Sequence, residues 1–203
     1  VLADMFPSMR AVCIVRDPRD VVVSNLEAGF AESMGPLTAA LEWRESVIAA
    51  RRFAAGSPGT MAFVSYEDLV SEAAPAIMDV CGHVGVSFEE QMLRPHDIAE
   101  RYAPKQSWMR GLDEPITSRR VRRWPGLLDR DTLATIEALN FEEMVACGYH
   151  PESSPRRLRH AKTFVRPLLE AMDEWASVKS ARRSDVVELK RGAYRDLLEQ
   201  IGG

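Results

Sequence analysis

Residues 11–24 read AVCIVRDPRDVVVS, and this stretch decides the fold that we predict for the chain. Its first five residues are apolar and mostly β-branched, which is typical of a short strand buried in a parallel sheet. Asp17 is a preferred helix N-cap, Pro18 suits the first helical position, and Asp20 gives a start that resembles a capping box. We therefore predict a strand over 11–15 with a helix directly after it.

The arginine that follows the predicted strand indicates an anion-binding site. Arg16 lies at the carboxyl end of the strand, which is the edge where open α/β sheets bind ligands. A guanidinium can bind a phosphate through two parallel hydrogen bonds, and Ser24, about two turns into the predicted helix, offers a hydroxyl donor. From the residues alone, the alternative is that Arg16 pairs with Asp17 or Asp20 while Ser24 faces solvent.

The rest of the chain is predicted to be helical around one more strand. Residues 61–65 form a second short apolar run, and a sheet of two short parallel strands is not stable on its own. We therefore expect the remaining strands from sequence outside this chain, on its N-terminal side. Residues 87–118 are irregular and could cover a site. The predicted helices are one ending near Gly29, those over 36–55, 73–84 and 130–146, and a helical segment from Ser153 to Gly203.

Composition argues against several classes of function. The chain has 203 residues, 46% hydrophobic and 28% charged, and its net charge of −4 gives no general attraction to nucleic acid or to an anionic membrane. No apolar run reaches the length of a transmembrane helix, and the four histidines lack metal-ligand spacing. The three distant cysteines predict free thiols in a reducing compartment. We expect a bacterial, cytoplasmic protein with no metal, no nucleic acid and no membrane partner.

Several short motifs follow one another along the chain: Phe6-Pro7, Arg16 with Ser24, VSYEDL at 64–69, Ser107 with EPI at 114–116 and Arg123-Trp124, and Gly148-Tyr149. Together, and in this order, they resemble the motifs of sulfotransferases that use 3′-phosphoadenosine-5′-phosphosulfate (PAPS). The nearest resemblance is to the repeat-linked bacterial and tyrosylprotein branches, and it covers about residues 2–151.

The resemblance implies roles for five residues. It implies that Arg16, Ser24 and Arg123 hold the 3′-phosphate. It implies that Tyr66 contacts the nucleoside and that Ser107 is catalytic, donating to the leaving or transferring oxygens. From the residues alone, Tyr66 could equally be a core aromatic at a strand end, and Ser107 an ordinary loop residue.

The resemblance also implies an architecture. We expect an α/β, P-loop-NTPase-like sulfotransferase fold, with a parallel sheet flanked by helices, that is incomplete at its N-terminus. Residues 1–151 would form the C-terminal part of the domain, and 152–203 a helical C-terminal extension. The family's P-loop-like element for the 5′-phosphosulfate and its catalytic base would lie upstream of Val1. Ala28 stands where the tyrosylprotein branch has an arginine.

The implied function is transfer of a sulfuryl group from PAPS to a hydroxyl or amine, without a metal. The acceptor would be a small molecule, a sugar or a peptide. The alternative is a non-catalytic module of the same fold that binds a nucleotide or a partner. An apolar stripe in the C-terminal segment predicts either packing against the rest of the domain or a homodimer through these helices. Leu168, Leu169, Met172 and Trp175 form that stripe.

Overall fold

The structure is a computed structural model that describes residues 8–28, 35–97 and 114–170. It is a mixed α/β structure, as predicted, with two parallel strands, β1 (Ala11–Val15) and β2 (Met61–Ser65). Its helices include α1 (Pro18–Glu27), α2 (Pro36–Gly56), α3 (Tyr66–Ser71), α4 (Ala73–Val84), α5 (Arg130–Leu139), α6 (Phe141–Ala146) and α7 (155–170), with 3-10 turns at Glu90–Leu93 and Ser118–Arg120.

The predicted start of α1 is confirmed. Asp17 is the N-cap, its carboxylate accepts a hydrogen bond from the backbone N–H of Arg19, and Pro18 occupies the first helical position. The helix ends at Glu27, and the C-cap residue Ala28 closes it. These local signals fix where β1 ends and therefore place Arg16 between the strand and the helix.

The two-stranded sheet leaves apolar side chains uncovered. In β1, Val15 packs with Trp43 and Val47 of α2 in a small core, but Ile14 is 59% exposed. In β2, Phe63 is 43% exposed. Large apolar side chains of a sheet are normally covered by other chain segments. The expected completion of the sheet by further strands stays a prediction.

The larger core lies between four helices. Val22 of α1 packs with Ala40 of α2 and Ile136 of α5, and all three are fully buried. Ala161 and Val165 of α7 belong to the same core. The first turns of the predicted C-terminal extension are therefore packed against α1, α2 and α5. The boundary at 151/152 itself stays a prediction.

The single helix predicted over 130–146 is wrong, because Asn140 interrupts it. Asn140 has φ −108° and ψ 11°, and its side-chain amide donates a 2.9 Å hydrogen bond to the backbone oxygen of Ile136. Asparagine side chains compete in this way with the helical backbone for its carbonyl groups. The predicted Asp129 cap is confirmed, since its carboxylate accepts from the N–H groups of Asp131 and Thr132.

A buried ion-pair cluster joins α1 to α5. The Arg19 guanidinium binds Asp17 with both Nε and Nη2, the latter at 2.7 Å, and its Nη1 donates to Glu137 at 2.8 Å. Glu137 is completely buried and also accepts from the N–H groups of Glu152 and Ser153, at 2.8 and 2.9 Å. The cluster therefore holds together the start of α1, the middle of α5 and the segment that leads into α7.

Replacing Glu137 with glutamine should destabilise the fold strongly. The variant leaves the buried Arg19 with one carboxylate instead of two, and removing one partner of a buried pair costs about 3 kcal/mol or more. We expect a drop of that size in the free energy of unfolding, measured by urea denaturation. Glu142 is exposed, so Glu142→Gln should change this free energy by less than about 1 kcal/mol. Similar losses in both variants would contradict the importance of the cluster.

Candidate functional site

Arg16 and Tyr66 meet where the two strands end. Val15 and Ser65 are the last residues of β1 and β2 and lie opposite each other in the parallel register. The next residue of each strand therefore lies at the same edge of the sheet. There the Arg16 guanidinium carbon lies 4.5 Å from the centre of the Tyr66 ring, which is a cation–π contact. Tyr66 is partly exposed and is not a buried core aromatic.

The Arg16 guanidinium is held from two sides. Its Nη2 donates a hydrogen bond to the backbone oxygen of Arg120 and lies 3.9 Å from Oδ2 of Asp20. That second distance is too long for a hydrogen bond, so the pairing with Asp20 weighed above is present only as a loose ion pair. Its Nε is buried and has no hydrogen-bond partner among the described residues. A buried donor without a partner is unusual in a folded protein and calls for an acceptor.

Asp20 fixes the loop that follows the second 3-10 turn. Its carboxylate is almost fully buried and accepts from three successive backbone N–H groups, of Arg122 at 2.6 Å, Arg123 at 2.7 Å and Trp124 at 3.0 Å. Arg122 has a positive φ of 55°, which is uncommon outside glycine. Successive N–H groups around such a residue form a concave site for an anion, and here the anion is a side chain of the protein.

The capping-box interpretation of Asp20 is therefore wrong. Its side chain reaches across to residues 122–124 rather than back to the N-cap. A buried carboxylate gains more from three aligned donors than from the single N–H that a capping box offers. The helix start needs no second cap, because Asp17 already serves it.

Arg123 lies on the face of α1 that carries Ser24. Residues spaced by three and four share one helix face, so Asp20, Ser24 and Glu27 form a single row. At one end of the row, the Asp20 carboxylate accepts a hydrogen bond from the backbone N–H of Arg123. At the other end, Glu27 binds both terminal nitrogens of the Arg123 guanidinium, with Nη1 at 2.7 Å from Oε2 of Glu27. Ser24 lies between these anchors and is half-buried.

The structure thus brings four of the five predicted site residues onto one surface. Tyr66, Arg16, Ser24 and Arg123 follow one another from the sheet edge along α1, linked by the contacts of Asp20 and Glu27. Ser107 lies outside the described residues. The surface combines two guanidinium groups, a hydroxyl and an aromatic ring, a set of groups suited to an anionic aromatic ligand.

Sequence reasoning assigned no supporting role to Glu67, Trp124 and Tyr149, which lie in the motifs quoted above and support this surface from behind. Glu67 accepts from the hydroxyl of Tyr149 at 2.7 Å and from the backbone N–H of Asp17 at 3.0 Å, so it connects β2, α1 and the segment after α6. The Arg19 guanidinium also stacks on the Trp124 ring, at 4.4 Å from the ring centre. The available signal was their membership of those motifs, and it does not identify their distant partners.

The environment of Tyr149 changes its acidity. Burial, followed by the hydrogen bond to the Glu67 carboxylate and the charge of that group, raises the pKa of Tyr149 well above its ordinary value of 10.0. The phenol therefore stays protonated and keeps donating to Glu67 in the folded protein.

Stability should consequently fall at alkaline pH through Tyr149. The unfolded chain loses this proton near pH 10, so the contribution of Tyr149 is constant below that value. Above it, stability falls by up to about 1.4 kcal/mol per pH unit until the raised pKa of the folded state is reached. Denaturation from about pH 8 to pH 11 should show a smaller alkaline loss for Tyr149→Phe than for the wild type. Equal losses would contradict the assignment.

Residues 1–90 match the model of a family described as the sulfotransferase family. The predicted family resemblance is confirmed over this part of the chain, which includes Arg16, Ser24 and Tyr66, whereas Ser107 and Arg123 lie beyond it. No curated protein matches the sequence. In the described ranges, no helix has the length and apolar character needed to cross a membrane. The same ranges contain no group of three or more His, Cys, Asp or Glu side chains suited to a metal ion.

Proposed function

Because this chain carries a sulfotransferase-family segment over residues 1–90, we propose that it forms the 3′-phosphate-binding part of a PAPS-dependent sulfotransferase. The fold would be the P-loop-like one of that family. The observation that carries the proposal is the position of Arg16, which lies at the carboxyl end of β1, stacked on Tyr66, with a buried Nε that lacks a partner in the described residues. A phosphate oxygen is an acceptor suited to such a donor.

The groups on the surface fit the ligand. Arg16 and Arg123 would offset the charge of the 3′-phosphate, and Ser24, between them on α1, would add a neutral donor. Tyr66 would contact the nucleoside. The 3′-phosphate is the feature that distinguishes PAPS from most adenosine nucleotides, so this surface would select the donor.

PAPS supplies an activated sulfuryl group for transfer to a hydroxyl or an amine. The residues assigned here would bind and orient the nucleotide, which is a large part of catalysis in an in-line displacement. Ser107 would donate to the transferring or leaving oxygens. The acceptor would be a small molecule, a sugar or a peptide.

The primary test is binding of 3′-phosphoadenosine-5′-phosphate (PAP), the nucleotide product, measured by calorimetry. The Arg16→Ala/Ser24→Ala variant should bind at least about tenfold more weakly than the wild type, because it loses a charged and a neutral donor. The wild type should bind adenosine 5′-monophosphate, which lacks the 3′-phosphate, more weakly than it binds PAP, by a similar factor. Failure of the wild type to bind PAP would overturn the proposal.

A matched control removes the same kinds of group elsewhere. Arg159 and Thr163 are exposed on α7, and Arg159→Ala/Thr163→Ala also deletes one guanidinium and one hydroxyl. This variant should bind PAP like the wild type. An equal loss in both double variants would indicate a general effect of charge. A protein that binds PAP but transfers no labelled sulfuryl group to any acceptor would favour the non-catalytic module.

Nucleotide binding should not need a divalent metal. The phosphate partners proposed here are guanidinium groups and a hydroxyl, which act on the phosphate directly. The dissociation constant of PAP should therefore be the same in EDTA and in millimolar Mg²⁺. A requirement for Mg²⁺ would contradict the assigned partners.

A further inference from the structure

Glu27 forms an ion pair with Arg123, whose side chain the proposed phosphate site needs. Its two carboxylate oxygens bind the two terminal nitrogens of Arg123, so the guanidinium edge best suited to a phosphate is already taken. Both side chains are partly exposed, 35% for Arg123 and 45% for Glu27. Glu27 lies one turn after Ser24 on the same face of α1.

The position of Glu27 is unfavourable for the helix itself. Glu27 is the last residue of α1, and the described residues of that last turn include no basic side chain. A carboxylate at a helix C-terminus is repelled by the partial negative charge of the exposed carbonyl groups. The ion pair with Arg123 offsets part of this repulsion, and it also places the Glu27 carboxylate beside the candidate site.

The pair can open without moving the loop. Exposed ion pairs are weak because water and salt screen them. The Arg123 backbone remains bound to Asp20 through its N–H at 2.7 Å, whatever its side chain does. Asp20 therefore fixes the loop, and Glu27 determines only where the guanidinium lies.

We propose that Glu27 competes with the nucleotide for Arg123 and so sets which anions the site accepts. This inference rests on the function proposed above. A phosphate monoester carries close to two negative charges and three acceptor oxygens, whereas Glu27 carries one charge. The 3′-phosphate would displace Glu27 from Arg123, and a singly charged anion would not. Glu27 is then a specificity-determining residue that lowers the affinity for every anion and discriminates against the weakly charged ones.

The test compares two charge-matched variants. Glu27→Gln removes the competing charge, and Glu152→Gln removes the same charge from the ion pair with the neighbouring Arg122, whose Nη2 lies 3.0 Å from Glu152. By calorimetry, Glu27→Gln should bind PAP about two- to fivefold more tightly than the wild type. Glu152→Gln should leave the affinity unchanged. Glu27→Gln should gain no affinity in an Arg123→Ala background, because the competition requires Arg123.

Each alternative result has a defined meaning. Weaker binding by Glu27→Gln would show that Glu27 orients Arg123 for the ligand, and it would overturn the inference. Equal tightening in Glu152→Gln would also overturn it, because the effect would then be one of general charge. If the wild type binds PAP and Glu27→Gln has the same affinity, the inference fails while the proposed function stands. If neither the wild type nor any variant binds PAP, the proposed function fails, and the inference fails with it.

Discussion

The hydrogen bonds from the backbone of residues 122–124 to Asp20 are the constraint on which the candidate site depends. A carboxylate that is 1% exposed must be compensated, and three N–H groups from one loop provide the compensation. These bonds tie the backbone of the loop directly to α1 and hold Arg123 on the helix face that carries Ser24. The positive φ of Arg122 is tolerated because this conformation turns the N–H groups toward the same carboxylate.

The start of α1 contributes residues both to the buried ion-pair cluster and to the candidate site. Asp17 caps the helix and binds Arg19, and Arg19 in turn binds Glu137 and stacks on Trp124. Arg16 and Asp20 flank this cluster and face the candidate site. In the segment RDPRD, the inner charged pair thus belongs to the buried cluster and the outer pair to the surface. A substitution in this segment will therefore affect stability and ligand binding together, so exposed residues such as Glu27 are better probes of binding.

Local chemistry made much of the fold predictable. The two strands, the Asp17 cap, the proline at the first helical position and the helices over 36–55 and 73–84 all follow from signals within a few residues, and the structure has them. The break at Asn140 was missed because its apolar neighbours continue the helical period. The hydrogen bond from its side chain to the backbone is a feature that this period does not show. Asp20 was misassigned because its spacing from Asp17 fits a capping box, while its true partners are distant in sequence. The site residues came from the family resemblance, since an arginine and a serine eight positions apart are too common to indicate a site alone.

The separation of Asp20 from its partners also bears on how the protein assembles. The bonded residues are 102 to 104 positions apart in the chain, so the contact is strongly non-local. Chains are synthesised from the N-terminus, and contacts of long sequence separation form late because the intervening loop must first be closed. The first strand and its arginine exist well before the loop that completes the surface. Ligand binding by this surface would therefore report that the chain has reached its final topology, and a truncation before residue 124 would retain the motif while losing the site.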